Sequence, residues 1–252
     1  MRDPKTILIT GASSGIGEAL ALEYAAPGTA LLLTGRDSAR LEAVAAACRA
    51  KGAETAAAAI DVCDRDALAA WVLARDAERP VDLVVANAGI SAGTGQGTES
   101  EEQARRIFAV NVDGVLNTVH PLIPRMRERR RGQVALMSSL ASFRGFPGAP
   151  AYCGSKAAVR VYGEALRTEM RPHGVGVSVI CPGYVRSRMT AVNRFPMPFL
   201  MDADRAARIV RRGLAADRAR IAFPWPTYVS AWLLGVLPPG LTDPLLARTP
   251  RK

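Results

Sequence analysis

Short apolar runs alternate with amphipathic, alanine-rich stretches along most of the chain. The runs at Thr6–Thr10, Ala30–Thr34, Thr55–Ile60, Asp82–Ala86, Gln133–Ser138, Val175–Ile180 and Arg220–Phe223 have the length of strands. Between them, apolar residues recur at helical spacing around Gly15–Ala25, Ser38–Ala50, Asp64–Glu78, Glu101–Arg129, Ala151–Arg171 and Ala203–Ala216. Strands alternating with helices predict βαβ units and an α/β fold, a doubly wound parallel sheet flanked by helices. In such sheets ligands bind outside the carboxyl ends of the strands. Chemistry is therefore expected just after a strand or on the helix that follows one. No repeat, low-complexity tract or Pro/Gly/Ser linker divides residues 1–190, which predicts a single domain. Its core spans 1–190, and residues 191–252 add a lid, the last helix and strand, and an apolar C-terminal extension.

Composition narrows the functional classes. With 252 residues, 49% hydrophobic and 22% charged, the chain suits a protein with a large core. A net charge of +10 admits nucleic acid, an anionic membrane surface or an acidic ligand. The arginines are mostly scattered, and the densest run, RMRERRR at 125–131, reads as a solvated helix terminus. Nucleic acid is therefore not expected. Cys48, Cys63, Cys153 and Cys181 show no CxxC or metal-type spacing, which fits a reducing compartment and predicts no metal site. The two histidines, His120 and His173, give a Ser-His-Asp hydrolase or a histidine-rich zinc site little to build on. The N-terminal apolar run is too brief for a signal peptide, so the expected location is cytoplasmic.

Thr10-Gly11-Ala12-Ser13-Ser14-Gly15-Ile16-Gly17 follows the first strand and opens the first helix. Glycines there permit a tight turn and close backbone approach, and the helix N-terminus favours phosphate. The second strand ends Thr34-Gly35-Arg36. An acid near this point reads the ribose 2′-hydroxyl of NAD, whereas an arginine accommodates the 2′-phosphate of NADP. Arg36, with Ser13 and Ser14 as hydroxyl donors, predicts NADP(H). Asp61-Val62 ends the third strand, where a carboxylate can accept from an adenine amino group or cap a helix. Asn87-Ala88-Gly89 ends the fourth with small residues that allow backbone approach to the adenosine side.

Tyr152 and Lys156 stand four apart in AYCGSKAAVRVYGEAL, downstream of Ser139. On a helix the two share a face, so the ammonium is expected to pull the phenol below its usual value of about 10. That makes Tyr152 a proton donor or acceptor near neutral pH. Taken together, TGASSGIG, Asn87-Ala88-Gly89, Asn111, Ser138-Ser139, Tyr152-x-x-x-Lys156 and Pro182-Gly183 resemble the short-chain dehydrogenase/reductase family, in its order, across about residues 5–190. Ser187 stands where threonine is commoner after Pro-Gly, and Cys153-Gly154 replaces commoner small polar residues. The resemblance implies a Rossmann-type fold and a catalytic tetrad of Asn111, Ser139, Tyr152 and Lys156. It implies hydride transfer between nicotinamide and a carbonyl carbon, with Tyr152 as proton donor and Ser139 bonded to the same oxygen. Lys156 would also hold the nicotinamide ribose, and Asn111 a water linking Lys156 to solvent. Pro182, Gly183, Val185 and Ser187 would meet the nicotinamide amide.

By family position, RSRMTAVNRFPMPFLMD at 186–202 is the substrate lid. Its methionines and phenylalanines suggest a small lipophilic carbonyl or alcohol as substrate. Ile221–Thr242 contains no charged residue and is followed by Arg248, Arg251 and Lys252. Pro224, Pro226, Pro238 and Pro239 leave only Thr227–Leu237 uninterrupted, too short to span a bilayer. Three readings stay open for it: a peripheral element on an anionic inner-membrane surface, a wall of the substrate pocket, or a subunit contact. The expected assembly is a homodimer or homotetramer. The rivals to an NADP-dependent oxidoreductase are a catalytically silent NADP-binding regulator and a membrane-surface interaction protein on the same fold.

Overall fold

The computed structural model describes residues 3–91, 98–193 and 195–247. Seven strands, β1 (Thr6–Thr10), β2 (Ala30–Gly35), β3 (Glu54–Ala59), β4 (Leu83–Ala86), β5 (Gly132–Met137), β6 (Val175–Pro182) and β7 (Arg220–Phe223), form one sheet. All pairings are parallel and the order is β3-β2-β1-β4-β5-β6-β7. The winding reverses at β1, whose neighbours are β2 and β4. A crevice opens beyond the carboxyl ends at such a point.

The sequence pattern explains which strands are central. TILIT, ALLLTG, LVVA and GQVALM are buried at every position, the near-continuous apolar reading of strands covered on both faces. β3 lies at an edge and alternates between exposed and half-buried. Helices α1 (Gly15–Tyr24), α2 (Ser38–Ala50) and α9 (Ala203–Ala215) bury Leu20, Val44 and Val210 against Ile7, Ile9 and Leu31 on one face. On the other face, α3 (Arg65–Glu78), α5 (Gly114–Val119), α6 (Ile123–Glu128) and α7 (Pro150–Met170) bury Leu68, Val119, Met126 and Val159 against Leu8, Val84 and Val134.

One expected helix, Glu101–Arg129, is broken. It divides into α4 (Glu101–Phe108), a π-helical turn at Ala109–Asp113, α5 and α6. Pro121 has no N–H to continue α5, and Pro124 lies in the first turn of α6. The arginine run at 125–131 is also more than a solvated terminus. Arg125 and Arg129 reach the buried Asp76 at 3.3 and 2.9 Å, and Arg131 pairs with Asp82 at 3.0 Å. Asp76 accepts from Val81 N as well, so the cluster ties the end of α6 to the turn before β4.

Beyond β7 the chain forms α10 (Trp225–Val236) and α11 (Pro239–Leu246). Pro224, Pro226, Pro238 and Pro239 sit before or within first turns, where a missing N–H is harmless. α10 rests on the turn after β5: Gly235 approaches the Phe143 carbonyl too closely for a side chain, and Tyr228 meets Phe143 edge-on at 5.5 Å. Its outward face leaves Trp225, Trp232, Leu233 and Val236 exposed, and α11 adds Leu241 and Leu245. Among the described residues, no helix is long and apolar enough to cross a membrane. Arg194 and the flanking Arg248, Arg251 and Lys252 lie outside the described residues.

Candidate active site

The loop from β1 to α1 is shaped for close backbone approach. Gly11 and Gly15 adopt positive φ, +66° and +61°. A side chain at Gly11 would lie 2.8 Å from Ala88 Cα, and one at Gly17 would strike the Gly11 carbonyl and lie 2.5 Å from Asn87 Nδ2. Asn87 clamps this loop: its Nδ2 donates to Thr10 O and Gly11 O, while Thr10 Oγ1 accepts from Asn87 N and Ala88 N. Ser14 precedes α1 without capping it through its side chain, which leaves the helix start to an anion. This cradle fits the diphosphate of a dinucleotide.

At the end of β2, Ser13 lies against Gly35, and Arg36 follows. The nearby acid is already occupied. Asp37 Oδ1 accepts from Arg40 N at 2.9 Å and caps α2, while Oδ2 pairs with the Arg40 guanidinium at 3.0 Å. Arg36 reaches Asp61 only loosely, at 3.9 Å. Asp61 stands two residues past β3 and caps no helix. Its Oδ1 accepts from Cys63 N, and Asp64 caps α3 instead. Val62 is buried, and its carbonyl accepts from Asn117.

Across the crevice, β5 ends at Met137 and Ser139 follows in a turn, its Oγ accepting from Ala141 N at 3.1 Å. Tyr152 and Lys156 lie in α7, the ammonium 5.9 Å from the phenol ring centroid. Lys156 Nζ donates to Met137 O at 2.8 Å, and Gly89 keeps the space beside it open. Burial pushes the Tyr152 phenol up from its ordinary value, and a hydrogen bond with Ser139 pulls it part of the way back. Burial likewise pushes Lys156 down to about 8. The expectation that Lys156 lowers Tyr152 does not hold in this arrangement. The ammonium is bonded to the Met137 carbonyl and stands over the ring, and burial is the largest influence on the phenol.

Asn111 sits in the π turn, fully buried. Its Oδ1 accepts from Ile90 N, and its Nδ2 donates to Ile90 O and Ser155 Oγ. Both amide hydrogens are thus committed to protein, so a water held by Asn111 would have to use another of its groups. On the far wall, Gly183 N donates to Phe223 O, and Val185 pairs with Met201. Ser187 shares a reciprocal cap with Thr190 at the start of α8 (Arg188–Ala191) and packs against Gly15.

One cleft of about 880 Å³ unites these groups. Every residue predicted as catalytic or cofactor-binding lines it except Gly17 and Asn111, which brace it from behind. Its remaining wall is largely apolar, with Leu140, Phe146, Tyr184, Met189, Phe195 and Leu234. A family model for short chain dehydrogenases matches residues 5–196. The chain belongs to the short chain dehydrogenase family.

An uncharacterized oxidoreductase of Myxococcus xanthus is 40% identical over 240 residues, 95% of each chain. A short chain dehydrogenase/reductase from Burkholderia phymatum, solved in complex with NAD, is 26% identical with a TM-score of 0.85, over 100% of this chain and 98% of that one. A short-chain dehydrogenase from Sphingobium yanoikuyae, solved with NADPH, is 26% identical with a TM-score of 0.79, over 97% and 96%. In this short chain dehydrogenase, sequence reasoning missed Arg40 and Tyr184, which line the cleft, while the α10 residues Thr227, Ser230 and Leu234 line it as one of the three readings of Ile221–Thr242, a wall of the pocket, expected. Arg40 carried a signal: four residues after Arg36, it falls in the first turn of α2. The four free cysteines offer no bridge, and among the described residues no cluster of His, Cys, Asp and Glu could hold a metal ion.

Proposed function

We propose that this short chain dehydrogenase is an NADP(H)-dependent oxidoreductase acting on a lipophilic ketone, aldehyde or secondary alcohol. The observation that carries the reading is the Tyr152 phenol, bonded to Ser139 beside Lys156, where the glycine cradle meets an apolar wall in one cleft. A bound nicotinamide cofactor would supply or take up the hydride. Tyr152, kept protonated at neutral pH by burial, donates its proton to a carbonyl oxygen as negative charge develops there. Ser139 hydrogen-bonds the same oxygen and aligns it with the phenol. Lys156 is oriented by the Met137 carbonyl and lines the cleft, where it would hold the nicotinamide ribose. Gly11, Ser13, Ser14, Gly15 and Ile16 would hold the diphosphate, and Asp61, Val62, Asn87, Ala88 and Gly89 would enclose the adenosine. Pro182, Gly183, Val185 and Ser187 would border the nicotinamide.

The preference for NADP(H) rests on Arg36 and Arg40, which line the cleft together with Ser13, and on Asp37, whose carboxylate pairs with Arg40. A carboxylate already paired is a poor reader of a ribose hydroxyl. The apolar wall built by Leu140, Phe146, Met189, Phe195 and Leu234 supports a lipophilic substrate. α10 faces this wall with one side, and its other side carries Trp225, Trp232, Leu233 and Val236 in solvent. We extend the proposal to peripheral contact of that outer face with an anionic membrane surface. The favouring observation is a charge-free helix with interfacial tryptophans on a strongly basic chain.

Tyr152→Phe tests the central assignment. Turnover of a lipophilic ketone, followed by NADPH absorbance, should fall by about a hundredfold or more, with NADPH binding largely kept. Undiminished turnover would remove Tyr152 from the chemistry and the reading with it.

A further inference from the structure

The first turn of α7 shows how the Tyr152 backbone is held. Pro150 has no N–H, and Cys153 N donates to Ala149 O at 3.0 Å. Ala149, which precedes the helix, offers no side-chain cap. The Ala151 amide, adjacent to Tyr152, donates instead to Glu99 Oε2 at 2.9 Å, a partner 52 residues earlier in the chain. The second oxygen of that carboxylate, Oε1, is buried with no hydrogen-bond partner among the described residues. An unpartnered buried oxygen is costly. The favourable term at this point is the positive end of the α7 dipole.

Tyr152 is held from its other side as well. Its carbonyl accepts from Ser155 Oγ at 2.8 Å, and that oxygen accepts from Asn111 Nδ2 at 3.0 Å. Asn111 in turn grips both backbone groups of Ile90. Ile90 and Glu99 belong to the same connection between β4 and α4. That connection therefore fixes the backbone on both sides of Tyr152, and only the Glu99 end does so by a direct charge-assisted bond.

We propose that Glu99 is a positioning residue for Tyr152, fixing the first turn of α7 so that the phenol meets Ser139 and the substrate oxygen. This rests on the reading of Tyr152 as proton donor. Glu99 touches neither substrate nor cofactor in this role. It acts through the Ala151 amide, and small misplacements of a reacting group lower rates steeply.

The test compares wild type, Glu99→Ala, Glu99→Gln and Tyr152→Phe with NADPH and a lipophilic ketone. Glu99→Ala should lower kcat about tenfold, leave KM for NADPH unchanged and enlarge the solvent deuterium isotope effect as proton transfer becomes slower. Glu99→Gln keeps an oxygen for the Ala151 amide and should restore kcat to within about threefold of wild type. If Glu99→Ala does not fold, Glu99→Asp, one methylene too short to reach the amide, should show the same loss. Wild-type kcat in a folded Glu99→Ala or Glu99→Asp protein, a loss with no change in isotope effect, or a Gln variant as damaged as Ala would overturn the assignment. An inactive wild type, or a fully active Tyr152→Phe, would instead sink the parent reading.

Discussion

Replacing Lys156 with methionine should change how stability depends on pH. The ordinary value for the ammonium is 10.5, and burial brings Lys156 to about 8. Below about pH 8 the lysine is protonated in both states, so the fold bears the full cost of a buried charge. Between about 8 and 10.5 the folded lysine is neutral while the unfolded one still binds its proton. The unfolded state then holds more protons, and stability rises with pH by about 1.4 kcal/mol per pH unit. Across the window the gain is about 3 kcal/mol for a side chain only 3% exposed. Tyr152 works in the opposite sense: its raised phenol stays protonated after the unfolded one has ionised, so stability falls above about pH 10. Lys156→Met keeps Tyr152 and removes only the lysine titration. Urea unfolding of both proteins from about pH 7 to about pH 11 measures the difference. Wild type minus variant should be flat below about pH 8 and climb by about 3 kcal/mol towards pH 10.5. A difference that stays flat, or declines, would refute a desolvated lysine in the site.

Two further outcomes follow from the cofactor end and the C-terminal helix. Arg36→Ala should weaken NADPH binding by about tenfold with little effect on NADH, the low end of a charge-assisted contact because the side chain is half exposed. Calorimetry checks it, and equal wild-type affinities for the two cofactors would end the NADP proposal. The wild-type protein should sediment with anionic liposomes, and Trp232→Ser with Leu233→Ser should abolish this while sparing turnover of a small soluble carbonyl. Wild type left in the supernatant, with the double variant altered in oligomeric state, would make the outer face of α10 a subunit contact.

The sheet was readable because its central strands are unbroken apolar runs whose type does not depend on distant partners. Boundaries moved by a residue or two: β6 extends to Pro182, and β3 begins at Glu54. The break within Glu101–Arg129 was visible only as Pro121 and Pro124, since apolar spacing continues across it. The partners Tyr152, Lys156 and Ser139 could be matched to a motif, but their electrostatics could not. Helical spacing gives neighbours, whereas burial depends on everything packed around them. Here burial reverses the expected direction for the phenol. Glu99 was out of reach for a related reason, because its partner at Ala151 lies 52 residues away and no local pattern links them.

From β4 onward the order of strands along the chain is also their order across the sheet. β4 to β7 are thus laid out in chain order on one side of β1, with β2 and β3 on the other. Without β7, the edge on that side would be the eight-residue β6, buried at nearly every position in the protein. The four-residue β7, opening with Arg220, is what closes it. Short, charged edge strands discourage pairing between molecules. A product cut short before Arg220 should leave β6 bare and aggregate more readily than the whole chain.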